Sequence, residues 1–316
     1  MAQTSQFAVR FYGTGTDQQD RVIFLVDDNA GGPDASTPLD VGAGSFTIEL
    51  WLRGRLADND TENAGGDVEL PGIPWIDGNI FLDRDVWCGT QRDWGASIAG
   101  GFVRFGADTG DPPSTGAALT IEGDANVLDD AWHHLALVRD AASGRLHVYV
   151  DGAIDFSSSP GQTSHELSYP NPGVPVGSNC ATEQLTPYGW FLVLAAEKHD
   201  AGPSFPSFDG FLDEVRAWST ARSSVDIAAT WDRLVPADSA GLIANYRFEE
   251  GAGTVVADTS AAGSPDGDLH SGIPGNGEWV AWVRDPGNTA PILPLATIFA
   301  DGFETGDTSA WSATSP

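Results

Sequence analysis

The residues of this chain best suited to chemistry are two acidic runs and one charged tetrad. Asp77-Gly-Asn79 is followed by Asp83-Arg-Asp85, and Asp27-Asp28-Asn29 forms the second run. A hard divalent cation such as calcium takes oxygen ligands from carboxylates, amides and backbone carbonyls, and irregular loops supply them. If residues 83–85 are extended, Asp83 and Asp85 share a face and can chelate one ion, with Asn79 close by. Asp27 and Asp28 are further candidates of the same kind. The spacing of an EF-hand loop is not met, and the same carboxylates with Arg84 would equally form a solvated rim network.

The tetrad is Glu197-Lys198-His199-Asp200, which follows the apolar run Trp190–Ala196. Lys198 is suited to contact an acidic sugar and His199 to act as a general base, although a charged strand end also accounts for the pattern. No G-x-S-x-G string supplies a nucleophile. Trp75, Trp87, Trp94, Tyr188 and Trp190 lie in or beside long loops, where an aromatic face can stack on a sugar ring while Asp and Asn take its hydroxyls. Each can instead simply pack locally. The candidate ligand-binding set is therefore Trp87, Trp94, Tyr188, Trp190, Lys198 and His199, with no catalytic residue assigned.

The elements that must position these residues are strands. In Phe46–Arg53 the residues Phe46, Ile48, Leu50 and Leu52 share one face, and Thr47, Glu49, Trp51 and Arg53 the other, which is the pattern of a half-buried strand. Trp132–Arg139 and Arg145–Val150 flank the turn Asp140-Ala-Ala-Ser-Gly144 and predict a hairpin. Further strands are expected at 80–83, 102–105, 119–122, 190–196, 211–218, 242–249 and 278–283. Their shortness, number and Gly/Pro/Asp/Asn separators predict an all-β, antiparallel two-sheet sandwich. One short helix is expected after Ser223, which forms a capping box with Asp226 and leads an apolar stripe of Val225, Ile227, Ala228, Trp231 and Leu234. Residues 54–78 and 155–189 are expected to be long loops, and residues 1–286 one domain. The Pro-rich stretch 286–294 reads as the start of a linker and short tail over 287–316.

Composition narrows the partners. The 316 residues carry 15 Lys and Arg against 45 Asp and Glu, a formal net charge of −30. Such a surface repels phosphate, so neither nucleic acid nor an anionic membrane is the expected partner. No run of about eighteen apolar residues is present to span a bilayer as a helix. The opening MAQTSQFAVR has neither the basic flank nor the apolar core of a secretory leader, which suggests a mature chain with an added Met1. The expected location is secreted or cell-surface, hence extracellular. In that setting the two cysteines, Cys88 and Cys180, predict one disulfide, with two free thiols as the alternative; C-x-x-C spacing is absent.

Four phrases, FTIELWLR (46–53), WHHLALVR (132–139), LHVYVDG (146–152) and GFLDEVRAW (210–218), resemble those of the laminin G-like, concanavalin A-like jelly roll in its bacterial, pentraxin-related branch. They stand in the family's order, and the resemblance covers roughly residues 7 to 235. Residues 241–283 are similar to a segment that accompanies such domains. The phrase FADGFETGDTSAW (299–311) is similar to one near the ends of secreted bacterial proteins. The resemblance implies a secreted or cell-surface recognition module, frequently calcium-binding and often directed to carbohydrate or matrix, and the expected ligand here is a carbohydrate or surface glycan. Glucanases on this fold use an E-x-D-x-x-E strand, and that string does not occur here. Asp213-Glu214 comes nearest, but neighbouring strand residues face opposite ways. Asp213 is expected to be structural, and His133 and His134 to be core histidines. Two alternatives to the binding module are a polysaccharide hydrolase or lyase with a loop-built site, and an adhesive or self-assembling surface protein.

Overall fold

In the computed structural model, the described residues are 7–13, 20–27, 37–85, 92–108, 118–163, 165–169, 190–198, 202–270, 281–283 and 289–294. They form two antiparallel sheets packed face to face. The first sheet contains β1 (Ala8–Tyr12), β3 (Phe46–Gly54), β9 (His133–Asp140), β10 (Arg145–Val150), β11 (Ala153–Ser157), β13 (Asp209–Trp218), β14 (Leu242–Tyr246) and β17 (Ala281–Val283). Its order is β11-β10-β9-β3-β13-β1-β17, with β14 also pairing β13. The second contains β2 (Arg21–Asp27), β4 (Val68–Pro71), β5 (Asn79–Arg84), β6 (Trp94–Ala99), β7 (Phe102–Ala107), β8 (Leu119–Glu122), β12 (Trp190–Leu194), β15 (Val255–Val256) and β16 (Gly267–His270). Its order is β15-β16-β2-β12-β5-β6-β7-β8-β4.

The core lies between the sheets, and the alternation of β3 feeds it: Phe46, Ile48, Leu50 and Leu52 all join the main buried cluster. The other face of β3 differs from the half-buried expectation, since Thr47, Glu49 and Trp51 are buried as well. Segment 219–235 covers them. Thr47 Oγ1 donates to Thr220 O at 2.8 Å and accepts from Arg222 N–H at 3.0 Å, while Trp51 stacks on Trp231 with ring centroids 5.6 Å apart. Beneath this cover Glu49 lies among His134, Arg216 and Arg222. Burial alone would raise its carboxyl. His134, at 3.8 Å, and the guanidinia of Arg222 and Arg216 more than offset burial and hold the pKa at about 2.

That segment holds the single helix among the described residues, α1 (Ser224–Thr230). Ser223 caps it, accepting from Asp226 N–H at 3.2 Å. Of the expected apolar stripe Ile227 is buried, but Val225 is 75 % exposed, because a two-turn helix lying on a sheet buries only a narrow strip. Loop 54–78 is shorter than expected: it contains β4 and two 3-10 turns, Leu56–Asp58 and Pro74–Asp77. Trp75, on the second turn, is fully buried and fills the space left by Gly95 and Gly106, where a Cβ would meet its ring at 2.4 and 2.0 Å. Residues 289–294, expected in a linker, pack against the fold. Thr289, Ala290 and Ile292 are buried, and Ala290 N–H donates to Asp213 Oδ2 at 2.9 Å. Asp213 is fully buried, as its expected structural role requires.

Candidate functional site

The sequence-nominated residues of the 77–85 run serve the backbone. Asn79 is buried; its Oδ1 accepts from Thr61 Oγ1 at 2.8 Å and its Nδ2 donates to Ser207 O at 3.3 Å. Asp83 is buried too, and its two oxygens accept from Asp85 N–H at 2.7 Å and Lys198 N–H at 2.8 Å. Asp85 offers its carbonyl to Lys198 Nζ at 2.6 Å. Lys198, the only lysine in the chain, is buried. Its Nζ also donates to Tyr169 Oη at 2.7 Å and lies 4.4 Å from the Phe191 ring centroid. Asp83, Asp85 and Lys198 are thus brought together as a clasp between β5 and the chain after β12. Trp94, expected in a loop, opens β6 and is a core side chain against Phe46, with centroids 4.8 Å apart. Asp27 ends β2 opposite Trp190, which opens β12. Asp28, Trp87, Tyr188, His199, Cys88 and Cys180 lie outside the described residues.

Two arrangements that the sequence did not reveal have the character of sites. The first is a cleft of about 270 Å³ on the outer face of the first sheet, at the end where β1, β13 and β3 lie side by side. Register dictates its floor. Phe211 stands directly between Arg10 on β1 and Arg53 on β3. Both guanidinia approach its ring, at 5.2 and 5.7 Å from the centroid, and Trp132 meets it at 6.2 Å. Each cleft arginine has a carboxylate partner. Arg10 pairs with Asp209, Arg53 with Asp130 at 2.9 Å, and Arg55 with Asp58 at 2.7 Å. Below the floor Gly54 opposes Gly210, and only glycine fits at 210, where a Cβ would come within 2.2 Å of Phe208.

The cleft walls are fixed by backbone bonds. Asp130 has φ +68, a left-handed conformation that Asp tolerates better than most side chains, and its N–H donates to Gly54 O at 3.0 Å. Asn59, fully buried, ties the Leu56–Asp58 turn to β13 through bonds to Asp209. Next to this wall His133 bonds Asp151 at 2.9 Å and Asp129 at 3.1 Å. The bond to Asp151 raises its pKa, with Asp129 adding to the effect against partial burial. Of the two expected core histidines only His134 is buried, and burial lowers its pKa, whereas His133 is partly exposed at the strand end.

The second arrangement is a carboxylate triad. Asp67, Asp124 and Asp155 each place an oxygen within 4.8 Å of the others. Asp67 precedes β4 and Asp124 follows β8 in the second sheet, whereas Asp155 lies on β11 of the first, so the triad joins the two sheets along one side of the sandwich. Asp155 Oδ1 accepts from Ala125 N–H at 3.1 Å, while its Oδ2 is buried without a hydrogen-bond partner. Glycine at 123 makes the approach possible, since a Cβ there would sit 1.7 Å from Oδ2. Glu122, buried and paired with Arg104 at 2.8 Å, accepts from Ala64 and Gly66 N–H and so holds the loop that delivers Asp67. Burial, followed by the charges of Asp124 and Asp67, raises the pKa of Asp155. Three hard oxygen donors, one of them unsatisfied, are of the kind that could hold a divalent cation.

Residues 27–172 match the laminin G family model described as the concanavalin A-like lectin/glucanases superfamily. Human Pentraxin-4 is 27% identical over 138 residues, covering 43% of this chain and 23% of its own. The crystal structure of a candidate carbohydrate binding protein from Bacteroides ovatus aligns over 91% of this chain and 62% of that one, with 17% identity and a TM-score of 0.51. The chain thus spans less than two thirds of either protein. The jelly roll expected from the four sequence phrases is the fold of this chain.

Proposed function

We propose that this laminin G-like jelly roll is a secreted or cell-surface carbohydrate-binding module that holds its sugar in the arginine–aspartate cleft and takes calcium at the carboxylate triad. The observation that carries the reading is the cleft itself. Three guanidinium–carboxylate pairs line one cleft with an aromatic floor, so hydrogen-bond donors and acceptors stand side by side beside an apolar ring face. The fold shared with the Bacteroides ovatus protein, described as a candidate carbohydrate binder, supports the same class of ligand. Calcium in this reading is structural: it would offset three converging carboxylates and tie the second sheet to β11, as hard-oxygen sites on irregular loops do.

The test is a glycan panel screened by titration calorimetry against the wild type and Arg53→Ala. Binding of at least one glycan, weakened tenfold or more by the substitution, is the expected result. If glycans bind and Arg53→Ala leaves affinity unchanged, the cleft is not the site; if none binds, the carbohydrate reading falls.

A further inference from the structure

The charge on the cleft is arranged unlike that on the rest of the molecule. The chain carries three acidic residues for every basic one, yet the cleft holds Arg10, Arg53 and Arg55 against Asp209, Asp130 and Asp58, and is locally neutral. We propose that it selects neutral sugars presenting a vicinal diol and rejects acidic ones, an inference that rests on the reading of the cleft as the sugar site.

Three observations carry it. First, each guanidinium is already matched by a carboxylate, at 2.9 Å for Arg53 and Asp130 and at 2.7 Å for Arg55 and Asp58. An incoming carboxylate or sulfate therefore finds no unmatched cation, and must displace an aspartate or sit beside it. Two adjacent hydroxyls face no such conflict. One donates to the aspartate, the other accepts from the arginine, and the pair between them stays intact.

Second, Phe211 is not a bare platform. The Arg10 and Arg53 guanidinia and Trp132 all crowd its ring, so the floor presents N–H edges as well as carbon. Recognition then follows the direction of hydroxyls more than the apolar face of a ring. Third, the surrounding charge of −30 lowers the local concentration of any polyanion before contact. Within the cleft Asp209 already registers the strain, since burial raises its pKa and Asp58 adds to the rise against the pull of Arg10. A further anion would deepen that repulsion.

The experiment compares three ligand sets by calorimetry on the whole chain: neutral disaccharides, the same disaccharides O-methylated on adjacent ring hydroxyls, and a uronic-acid disaccharide. The expected result is binding of a neutral disaccharide, a loss of tenfold or more on methylation, and at least tenfold weaker binding of the uronate at both low and physiological salt. Asp130→Asn, which keeps the side-chain shape and tolerates the left-handed backbone at 130, is expected to weaken the neutral sugar about tenfold with an unchanged melting temperature. Equal or tighter binding of the uronate, indifference to methylation, or an unaffected Asp130→Asn variant would overturn the selectivity while leaving a sugar-binding module. Absence of binding by every sugar would instead remove the underlying reading.

Discussion

Asn59 and Asp209, 150 positions apart, bond to each other twice: Asn59 Nδ2 donates to the Asp209 carbonyl at 2.8 Å, and Asn59 Oδ1 accepts from the Asp209 N–H at 2.9 Å. The amide thus completes a missing rung between the Leu56–Asp58 turn and the start of β13, inside the protein. Removing it orphans two partly buried backbone groups. Asn59→Ala is expected to cost about 2 to 3 kcal/mol by urea denaturation and to loosen the cleft wall. A loss below about 0.5 kcal/mol would mean that water replaces the amide.

Glu49 sets the behaviour in acid. Its folded pKa is about 2 against an ordinary 4.5, so the stability it contributes is complete above pH 4.5 and is lost as the pH falls from 4.5 toward 2. The shift corresponds to about 3 kcal/mol across that window. Urea melts at stepped pH are expected to show a steep acid limb in the wild type and a flatter one in Glu49→Gln. Parallel limbs would place the acid sensitivity elsewhere.

His133 acts in the opposite sense. Its pKa is raised, chiefly by the bond to Asp151, so what it contributes is present below about pH 6.5 and fades as the pH rises through the folded value. Because Asp129, its other partner, adjoins Asp130 of the cleft wall, sugar affinity is expected to decline as the pH rises through the folded value. An NMR titration of the imidazole should give a midpoint above 6.5. A midpoint at or below that value would refute the ion-paired geometry.

The triad predicts a trade between protons, calcium and charge. The raised pKa of Asp155 means that ionising it costs folded-state stability, and this cost is relieved as the pH falls through the raised value or as a cation binds. Asp155→Asn should therefore melt higher than the wild type in chelator, yet gain nothing from added calcium, whereas the wild type gains several degrees. A calcium increment that survives the substitution would place the ion at other ligands.

The parts of the molecule legible in sequence are those governed by neighbours along the chain. The inward face of β3 follows from alternation, and the helix start from Ser223 and Asp226. The outward face of β3 was not legible, because Arg222 and Trp231, which bury Glu49 and Trp51, lie more than 170 residues away. The spacing of Asp83 and Asp85 suggested chelation. What they meet is a lysine 113 or more positions further on, which no local pattern announces. The cleft was hidden for the same reason, since Arg10, Arg53, Asp130 and Phe211 become neighbours only through strand order. Asp67, Asp124 and Asp155 read singly as ordinary turn and strand acids.

The register that seats Phe211 between Arg10 and Arg53 also imposes an order in time. The cleft is complete only after β1, from one end of the sequence, has docked on β13, some 200 residues later, and such distant pairings are slow to close. A sugar that fits the cleft therefore recognises the finished sheet and no partly folded form. During refolding, ligand binding should return with the last phase of recovery, so the ligand serves as a reporter of correctly completed molecules.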